Sequence, residues 1–361
     1  MKIVRIGEPT VVMSNPQSHH NYFGWPTAAK LQNGKIAVVA SGFRLRHICP
    51  FGKMVISYSE DDGATYTVPA PVIDTVLDDR DGGIVPFGEK GVVVTSFNNT
   101  VAFQKTYHRT DVYSFAYLAT VTPEEETRDL GSTYRISHDC GVTFGPIMKS
   151  PVDAPHGPIA LPDGTLLWVG RTYSRDDSVM PVDRIEAHRL YPDGRMEFVG
   201  AIDGIVLDGQ SLLSCEPHGI VLKDGSILVH IRVQERAKGE EKAFMIFQTV
   251  SHDGGKTWEK PYQILDRLGG SPPHLFRHSS GVLICTYALR EEPFSIRAMF
   301  SHDEGKTWDT DHDLYVNGVS FDLGYPSTVE CADGSLLTVF YAHLAKDAPA
   351  VIAQQKWKME D

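Results

Sequence analysis

One strand–turn–strand pattern occurs six times along this chain of 361 residues. In its fourth copy, residues 219–223 alternate into a Lys-Asp-Gly turn, and residues 226–232 return as a run rich in Ile, Leu and Val. Alternation around an Asp-Gly pair is a strong signal for a β-hairpin. The copies begin at Gly24, Asp81, His156, Glu216, Pro273 and Tyr325. Units that recur roughly every 50 to 75 residues indicate a solenoid, an array or a propeller. Six strand-rich units with glycine-containing turns predict an all-β fold, a six-bladed β-propeller with four strands in each blade.

Six blades of this size use nearly the whole chain, so we expect residues 1–361 to form a single domain. The segment 3–13 is expected to supply a strand to the last blade and close the ring. The net charge of −12 and the absence of Lys/Arg clusters argue against a nucleic-acid partner. No apolar run reaches the roughly 18 residues that a membrane span needs, so no membrane partner is expected. The start lacks a signal-peptide pattern and the five cysteines are scattered, which predicts reduced thiols and a cytoplasmic location.

A second pattern, Ser-x-Asp-x-Gly-x-Thr-aromatic, lies between the hairpins and begins at Ser59, Ser137, Ser251 and Ser301. Asp and Ser side chains tighten turns by bonding nearby backbone N–H groups, and Gly accepts a positive φ. The third blade keeps only a Tyr-Pro-Asp-Gly-Arg turn at Tyr191, and the sixth blade has no copy. The pattern is the Asp-box, and the chain resembles the sialidase-type propellers. We expect the boxes to be structural and to lie on the face opposite the site.

Residues 98–131 form an insertion in the second blade, which includes His108. A loop of this length in a compact domain is usually functional or disordered. Its aromatic content favours packing, and it is expected either to form a wall of the pocket or to contact another subunit.

The start of the first strand and the end of the second strand of every hairpin meet at one rim. The candidate rim residues at strand starts are Trp25, Arg80, Asp81, His156, Glu216, His218, His274, Asp322 and Tyr325, and those at strand ends are Arg44, Arg46, His47, Arg171, Arg232 and Arg290. A polar funnel above an apolar core is the usual position of a ligand site. These residues are therefore predicted to form an active site or binding site.

The resemblance to sialidases implies individual roles. In that family a Glu begins the hairpin that ends in the second Arg of a carboxylate-binding triad, and Glu216 and Arg232 correspond to this pair. Arg290 corresponds to the third Arg, with Arg297 as the alternative. The nucleophilic Tyr of the family opens the sixth hairpin, which corresponds to Tyr325. A phenol needs a neighbouring base to attack, and Glu216 is that base.

Two features of the family are missing. Where the family has a Phe/Tyr-Arg-Ile-Pro opening with the first Arg of the triad, this chain reads Phe23-Gly24-Trp25-Pro26, so that Arg is missing. No carboxylate lies between Arg44 and Lys53, where the acid/base Asp is expected. The candidate proton donors are therefore Asp81 and His47, with His108 as a third possibility. These departures suggest a different sugar acid or a different acid group.

Three histidines at matching positions of consecutive blades, His156, His218 and His274, are also a zinc-like set. Because Pro-His recurs as a hairpin start, an architectural role explains them equally well. We therefore expect no metal and no cofactor.

The sequence thus predicts a glycoside hydrolase acting on a carbohydrate that ends in an acidic sugar. Three alternatives remain open at this point. They are a glycosidase that uses two carboxylates, such as Asp81 and Glu216, on a neutral sugar, a polysaccharide lyase, and a carbohydrate-binding propeller without catalysis.

Overall fold

All six predicted hairpins are present in the computed structural model, which describes residues 1–109, 111–172, 184–234, 244–265 and 272–360. Each hairpin supplies the first two strands of an antiparallel sheet, and six such sheets follow one another along the chain. The arrangement is a six-bladed β-propeller with short helices in one insertion. No helix in the described part of the chain is long and apolar enough to cross a membrane.

The first strand, β1 (Lys2–Met13), belongs to the last blade. The strands of the first three blades are β2 (Tyr22–Lys30), β3 (Ile36–Arg44), β4 (Lys53–Ser59), β5 (Ala70–Ile73), β6 (Ile84–Phe87), β7 (Gly91–Phe97), β8 (Ser132–Ser137), β9 (Met148–Ser150), β10 (Val152–Asp153), β11 (Ile159–Ala160), β12 (Leu166–Thr172), β13 (Ile185–Leu190) and β14 (Met196–Ile202). A small hairpin of β15 (Val206–Leu207) and β16 (Gln210–Ser211) follows. The later blades contain β17 (Leu213–Val221), β18 (Ile227–Gln234), β19 (Phe244–Ser251), β20 (Tyr262–Leu265), β21 (His274–Arg277), β22 (Leu283–Leu289), β23 (Ser295–Ser301), β24 (Asp309–Tyr315), β25 (Gly324–Glu330), β26 (Leu336–His343) and β27 (Ala350–Glu360).

The two ends of the chain close the ring. Strand β1 pairs antiparallel with β27, with Ile3 opposite Met359, and completes the sheet of β25 and β26. The prediction for residues 3–13 is therefore confirmed. Apolar side chains of the inner strands form clusters between neighbouring blades, such as Ile36, Val38 and Val339 between the first and last blades. Burial of such surfaces is the main favourable term in folding.

The Asp-boxes have the geometry that their sequence predicts. In the third of them, Asp253 Oδ1 accepts bonds from Ser251 Oγ (2.9 Å) and from the backbone N–H of Thr257 (2.9 Å), while Oδ2 accepts from Thr257 Oγ1 (2.6 Å). These turns contact the hairpin turns of the preceding blade in the ring, since Asp62 Oδ2 of the first blade accepts from the Ala332 N–H of the last blade at 2.9 Å. The boxes therefore lie on the face that carries the hairpin turns, opposite the rim of strand starts.

Replacing Asp253 by Ala is expected to lower the Tm by a few degrees and leave any activity unchanged, because it removes acceptors for the turn on the face away from the rim. The control is Asp193→Ala in the third blade, where Oδ1 accepts one backbone bond from Arg195 at 3.0 Å. Thermal unfolding of both variants checks the prediction. An equal or larger loss in Asp193→Ala would contradict the structural role assigned to the box.

The insertion is helical and packs on the first two blades. It contains α1 (Val101–Tyr107), α2 (Val112–Thr120) and α3 (Pro123–Asp129), and the side chains of Thr100, Asp111 and Thr122 cap their N-termini. The side chain of Asn98 joins the two ends of the insertion, because it accepts from the Gly131 N–H (2.8 Å) and donates to the Asp129 carbonyl (3.0 Å).

The insertion also contacts the loop that follows β3. The ring of Phe51 packs on Tyr113 and Tyr117 of α2, with centroids 5.2 and 4.8 Å apart. The insertion thus lies beside the rim, next to the residues that the sequence analysis assigned to the site.

Candidate active site

A repeated break in strand pairing directs side chains to the rim. The pairing of the first strand with the second shifts register between Gly24 and Thr27, between Cys215 and His218, and between Gly324 and Ser327. The residues inside these bulges are Trp25, Glu216 and Tyr325, and each has a φ near +50°. Asp81 of the second blade has the same conformation, with a φ of 52°. A positive φ costs a residue other than glycine roughly 1–3 kcal/mol and is concentrated at functional sites.

Tyr325 and Glu216 form the centre of the site. The Tyr325 hydroxyl donates to Glu216 Oε1 at 2.6 Å, although 109 residues separate the two in sequence. The other carboxylate oxygen, Oε2, accepts from Arg232 Nη1 at 2.5 Å. Both hydrogen bonds are charge-assisted, and together they orient the carboxylate toward the phenol.

The protonation states of this pair suit a nucleophile and its base. Burial, together with the charges of Asp81 and Glu216, raises the pKa of Tyr325 well above its usual value. Burial alone would raise the pKa of Glu216, but the charge of Arg232 and the hydrogen bond from Tyr325 hold it below its usual value. At neutral pH the phenol is therefore neutral and the carboxylate beside it is charged.

Asp81 lies on the other side of the same phenol oxygen. Its Oδ2 is 3.5 Å from the Tyr325 hydroxyl oxygen. Burial, with a further contribution from the charge of Glu216, raises the pKa of Asp81 to about 7, although Arg80 lowers it. Since the single phenolic proton is donated to Glu216, a protonated Asp81 is the state that leaves two favourable contacts at this oxygen.

Arg290 approaches Tyr325 from the fifth blade. Its guanidinium carbon lies 5.6 Å from the centre of the Tyr325 ring, its Nε donates to the Leu323 carbonyl (2.9 Å), and its Nη2 donates to the Tyr341 hydroxyl (3.2 Å). Arg297, the alternative from the sequence, instead bonds Asp313 and Asp311 on the neighbouring outer strand. Arg290 is therefore the arginine that the fold brings to the site.

Asp322 organises the rim. Its carboxylate accepts from Tyr22 Oη (2.8 Å), His47 Nδ1 (2.8 Å), Tyr341 Oη (3.0 Å) and His343 Nε2 (3.1 Å). Burial raises its pKa, but these donors hold the pKa well below the usual value. Because protein groups donate to its carboxylate, Asp322 positions the side chains around it, and its contact with a substrate stays a prediction.

The hydrogen-bond partners assign the histidine protons at this rim. His343 Nδ1 faces the Ala348 carbonyl at 2.7 Å and its Nε2 faces Asp322, so both nitrogens donate, and Asp322 raises the pKa of His343. His47 donates from Nδ1 to Asp322, while burial lowers the pKa of His47. A neutral His47 is a poor proton donor, which leaves Asp81 as the better candidate of the two.

The predicted ligand contacts of Arg44 and Arg46 are not supported by their surroundings. Arg44 is fully buried, and its guanidinium donates to Ser41 Oγ (2.7 Å), to the His47 carbonyl (2.8 Å) and to Asp78 Oδ2 (3.0 Å). Arg46 donates to Asp111 at the start of α2, at 2.7 Å. Arg44 therefore holds the core of the first blade, and Arg46 holds the insertion.

Two more predicted binding residues lie at the edge of the site. Arg171 is opposite Asp153 in the pairing of β12 with β10, and burial raises the pKa of Asp153 to about 6, although Arg171 lowers it. Trp25 is 1% exposed and lies beneath Arg80, whose guanidinium carbon is 4.2 Å from the centre of the indole ring. Trp25 thus supports a charged residue and has little surface left for a ligand.

The three histidines lie one layer below the site, where they contact each other. The rings of His218 and His274 stack with centroids 4.6 Å apart, and His156 is 4.9 Å from His274 and 6.3 Å from Tyr325. They border a cavity of about 460 Å³ that is also lined by Ile220 and Phe276 of the inner strands. These histidines therefore form a floor that borders the cavity, and their contact with a substrate stays a prediction.

Hydrogen bonds also argue against zinc at this floor. His218 Nδ1 accepts from the Leu275 N–H (2.8 Å), so the proton of a neutral ring is on Nε2, and His274 Nε2 bonds Ser327 Oγ (3.1 Å). Burial lowers the pKa of His218 to about 3 and those of the other two rings well below their usual value. No cluster with metal-binding geometry occurs among the described residues. The three imidazole rings could direct lone pairs at one zinc ion only if these hydrogen bonds were broken.

Several residues near the site were missed or misplaced by the sequence analysis. Gln234 accepts from Arg232 Nη2 at 2.9 Å; its position two residues after Arg232 on one strand, and therefore on the same face, was the available signal. Asp153 lacks such a signal because it lies outside the hairpin repeat. His108, the third candidate proton donor, is fully buried under the insertion, with Nδ1 3.7 Å from Asp111.

Comparison with known proteins identifies the family. Residues 93–338, more than half of the chain, match the sequence model of the BNR repeat-like domain. The chain belongs to this BNR repeat-like family. A search of the curated proteins found no match.

Solved structures with the same fold include sialidases. A protein of unknown function from Dyadobacter fermentans matches with a TM-score of 0.76 and 17% identity, over 99% of each chain. The NanB sialidase of Streptococcus pneumoniae has a TM-score of 0.67 and 11% identity, over 98% of this chain and 71% of its own. The Trypanosoma rangeli sialidase in complex with the inhibitor DANA has a TM-score of 0.63 and 15% identity, over 93% and 55%. At these identities the likeness establishes the sialidase-like propeller fold of this BNR repeat-like protein.

Proposed function

We propose that this BNR repeat-like protein is a glycoside hydrolase that removes a terminal acidic sugar from a glycan, with Tyr325 as its nucleophile. The observation that carries the proposal is the 2.6 Å hydrogen bond from the Tyr325 hydroxyl to Glu216, whose other oxygen is held by Arg232. A phenol paired with a charged base in a buried site is a nucleophile–base arrangement. The sialidase-like fold supports the choice of reaction class by analogy only.

The spacing of the carboxylates favours retention of configuration. Glu216 Oε1 and Asp81 Oδ2 lie 2.6 and 3.5 Å from the same phenol oxygen, so they are no more than 6.1 Å apart. Inverting glycosidases separate their two carboxyl groups by roughly 6.5–9.5 Å to admit a water. This spacing argues against the two-carboxylate inverting alternative, in which Asp81 and Glu216 act without the tyrosine.

In the proposed reaction, Tyr325 Oη attacks the anomeric carbon and passes its proton to Glu216. Protonated Asp81 gives its proton to the leaving oxygen as the glycosidic bond breaks, which leaves a glycosyl–tyrosine bond. In the second half, the Asp81 carboxylate takes a proton from water as the water oxygen bonds the anomeric carbon. Glu216 then returns its proton to the departing phenolate. Each residue ends in its starting state, as a catalyst must.

The charges around the phenol favour an anionic substrate. Arg232 and Arg290 approach Tyr325, while Glu216 is the charged acid beside it when Asp81 is protonated. A neutral nucleophile also avoids the repulsion that a charged carboxylate nucleophile would meet from a substrate acid group. We infer that the two arginines bind the sugar carboxylate.

The test is a panel of 4-methylumbelliferyl glycosides that contains sialic acid, glucuronic acid and matched neutral sugars. Acidic glycosides are expected to have a kcat/KM on the order of 100-fold or more above the neutral ones, because a neutral sugar lacks the charge-assisted hydrogen bonds that the acid makes with the arginines. Proton NMR of the first-formed product should show retained configuration. Inversion, or a preference for neutral sugars, would exclude the proposal, and an unsaturated product absorbing in the ultraviolet would indicate a lyase.

Replacing Asp81 by Asn is expected to reduce kcat on glycans with poor leaving groups by roughly 10²–10⁴-fold and much less on aryl glycosides, which need little protonation. Because the pKa of Asp81 is raised to about 7, wild-type kcat/KM should fall as the pH rises through about 7, and this limb should be absent in the variant. Rates measured from pH 4 to 9 on both substrate types check this.

The pH dependence of the Tm tests the protonation state of Asp81 independently of activity. An aspartate that titrates near 4 in the unfolded chain but at about 7 in the folded chain loses stability as the pH rises between these values. The Tm of Asp81→Asn minus the Tm of the wild type should therefore become more positive from pH 4 to pH 8. A constant difference would contradict the protonated state assigned to Asp81.

A further inference from the structure

The most informative departure of this chain lies at Gly24-Trp25, where Gly24 stands at the position of the first triad arginine of the resembled family and Trp25 follows it. The indole is buried, with 1% of its surface exposed, so it does not take over the binding of a charged group. It has a φ of 54° in the bulge of the first blade, equivalent to Glu216 and Tyr325 in theirs. A strained position in the ring of site residues is thus occupied by an aromatic platform.

An arginine from the next blade lies on that platform. The guanidinium carbon of Arg80 is 4.2 Å from the centre of the Trp25 ring, a distance typical of a strong cation–π contact. The indole is also 6.5 Å from the Tyr325 ring, centroid to centroid. The second blade therefore places a cation on the indole that borders the proposed nucleophile.

Two carboxylates lie near the Arg80 guanidinium, each 3.6 Å or more from its nearest nitrogen. Asp78 Oδ1 lies 2.5 Å from Arg44 Nη1 and its Oδ2 accepts from Arg44 Nη2 at 3.0 Å, whereas Arg80 Nη1 is 3.7 Å from Asp78. Arg80 Nε is 3.6 Å from Asp81 Oδ1, beyond hydrogen-bond distance.

The guanidinium also retains unused donor capacity. Arg80 Nε is buried and has no hydrogen-bond partner among the described residues, although the side chain is only 8% exposed. Burial without a partner is costly for a charged group, so such atoms mark places where a ligand completes the bonding. Because Asp78 lies closer to Arg44 than to Arg80, the guanidinium of Arg80 keeps donor capacity on this side of the site.

We propose that Arg80, supported by the face of Trp25, is the third arginine of the anion-binding set and replaces the arginine that is missing at position 24. The inference rests on the proposed function, since it assigns a substrate contact within the same site. It narrows the substrate to a sugar whose carboxylate, or another planar anion of that size, reaches from Arg290 toward the first and second blades. The assignment predicts that Arg80 determines specificity for acid over ester and contributes little to sugar binding itself.

The test is the affinity of purified protein for free N-acetylneuraminate and glucuronate and for their methyl esters, measured by calorimetry without turnover. The wild type is expected to prefer one of the acids over its ester. Arg80→Met should weaken binding of that acid by about 10- to 100-fold, the worth of a charge-assisted hydrogen bond, and leave ester binding unchanged. Arg297→Met, which removes an arginine bonded to Asp311 and Asp313 on an outer strand, is the matched control and should bind like the wild type.

Three outcomes separate the two proposals. A wild type that prefers neither acid to its ester contradicts the proposed function itself. A wild type that prefers the acid together with an Arg80→Met variant that binds it equally well overturns the role of Arg80 alone. If Arg80→Met has a lowered Tm, Arg80→Lys carries the test: it keeps the charge but loses the planar fork, so an affinity below that of the wild type for the acid alone supports the role, and wild-type affinity refutes it.

Discussion

Replacing Tyr325 by Phe is expected to reduce kcat on the best acidic substrate by about 10⁴-fold or more, the scale seen when a nucleophile is removed. The ring that packs near Trp25 and Tyr341 remains, and only the hydroxyl bonded to Glu216 is lost. The Tm should therefore stay close to that of the wild type. Substrate binding should also persist, so calorimetry on the variant separates a lost nucleophile from a lost site.

The matched control is Tyr134→Phe, because this buried tyrosine also loses one hydrogen bond, from its hydroxyl to the Gly194 carbonyl at 2.8 Å. It lies between the second and third blades, packed on Trp168, and should keep full activity. Turnover by Tyr325→Phe at more than a few per cent of the wild-type rate would show that the phenol is not the nucleophile. Loss of binding together with turnover would indicate that Tyr325 has a structural role.

The second large effect is expected for Glu216→Gln. The amide can still accept from the Tyr325 hydroxyl, but it cannot take the proton, so kcat should fall by roughly 10²–10⁴-fold. The change also removes the counter-charge of Arg232, whose side chain is 11% exposed. Breaking a buried ion pair costs about 3–5 kcal/mol, and a part of this cost should appear as a lower Tm.

Glu304→Gln controls for the lost ion pair. Glu304 accepts from Arg277 at 2.7 and 2.8 Å on the face of the Asp-boxes, so this variant should lose stability and keep activity. The double variant Tyr325→Phe/Glu216→Gln should be no slower than Tyr325→Phe alone, because a nucleophile and its base act as one unit. Additive losses in kcat would contradict the pairing.

The local rules of the chain predicted most of the fold. Alternating strands around Asp-Gly and similar turns identified the six hairpins, and the Asp-boxes have the hydrogen bonds that their side chains imply. The closing strand followed from the architecture, since a ring of sheets leaves an edge that the other end of the chain can cover. These features depend on residues close together in sequence or on the repeat itself.

The depth of each side chain below the rim was not predictable in the same way. His218 follows Glu216 by two residues, which places it on the same face of the strand but about 6 Å farther from the rim. The bulge between Cys215 and His218 then directs Glu216 to the site and leaves His218 in the floor. From the sequence, both were predicted to be rim residues, because the residue types at a hairpin start do not indicate a bulge.

Whether each arginine is paired in the core or available to a ligand depends on residues from other parts of the chain. Arg44 ends a predicted strand and Arg80 precedes one, and both guanidinium groups lie over the Trp25 ring, yet only Arg44 is hydrogen-bonded to Asp78. No local pattern distinguishes a guanidinium that neutralises a buried carboxylate from one left available to a ligand. Only the packing of the first blade against the second decides it.

By itself, the order of residues determined the number of blades and their turns, because repetition and short-range hydrogen bonding depend on residues that are close together in the chain. The phenol of Tyr325 and the carboxylate of Glu216 were indicated by the resemblance to sialidases. The three-dimensional structure alone decided which charged groups remain uncompensated and which acid holds its proton. The pKa of Asp81 is raised to about 7 because burial beside Glu216 penalises a second negative charge, and such desolvation exists only once distant blades enclose the site.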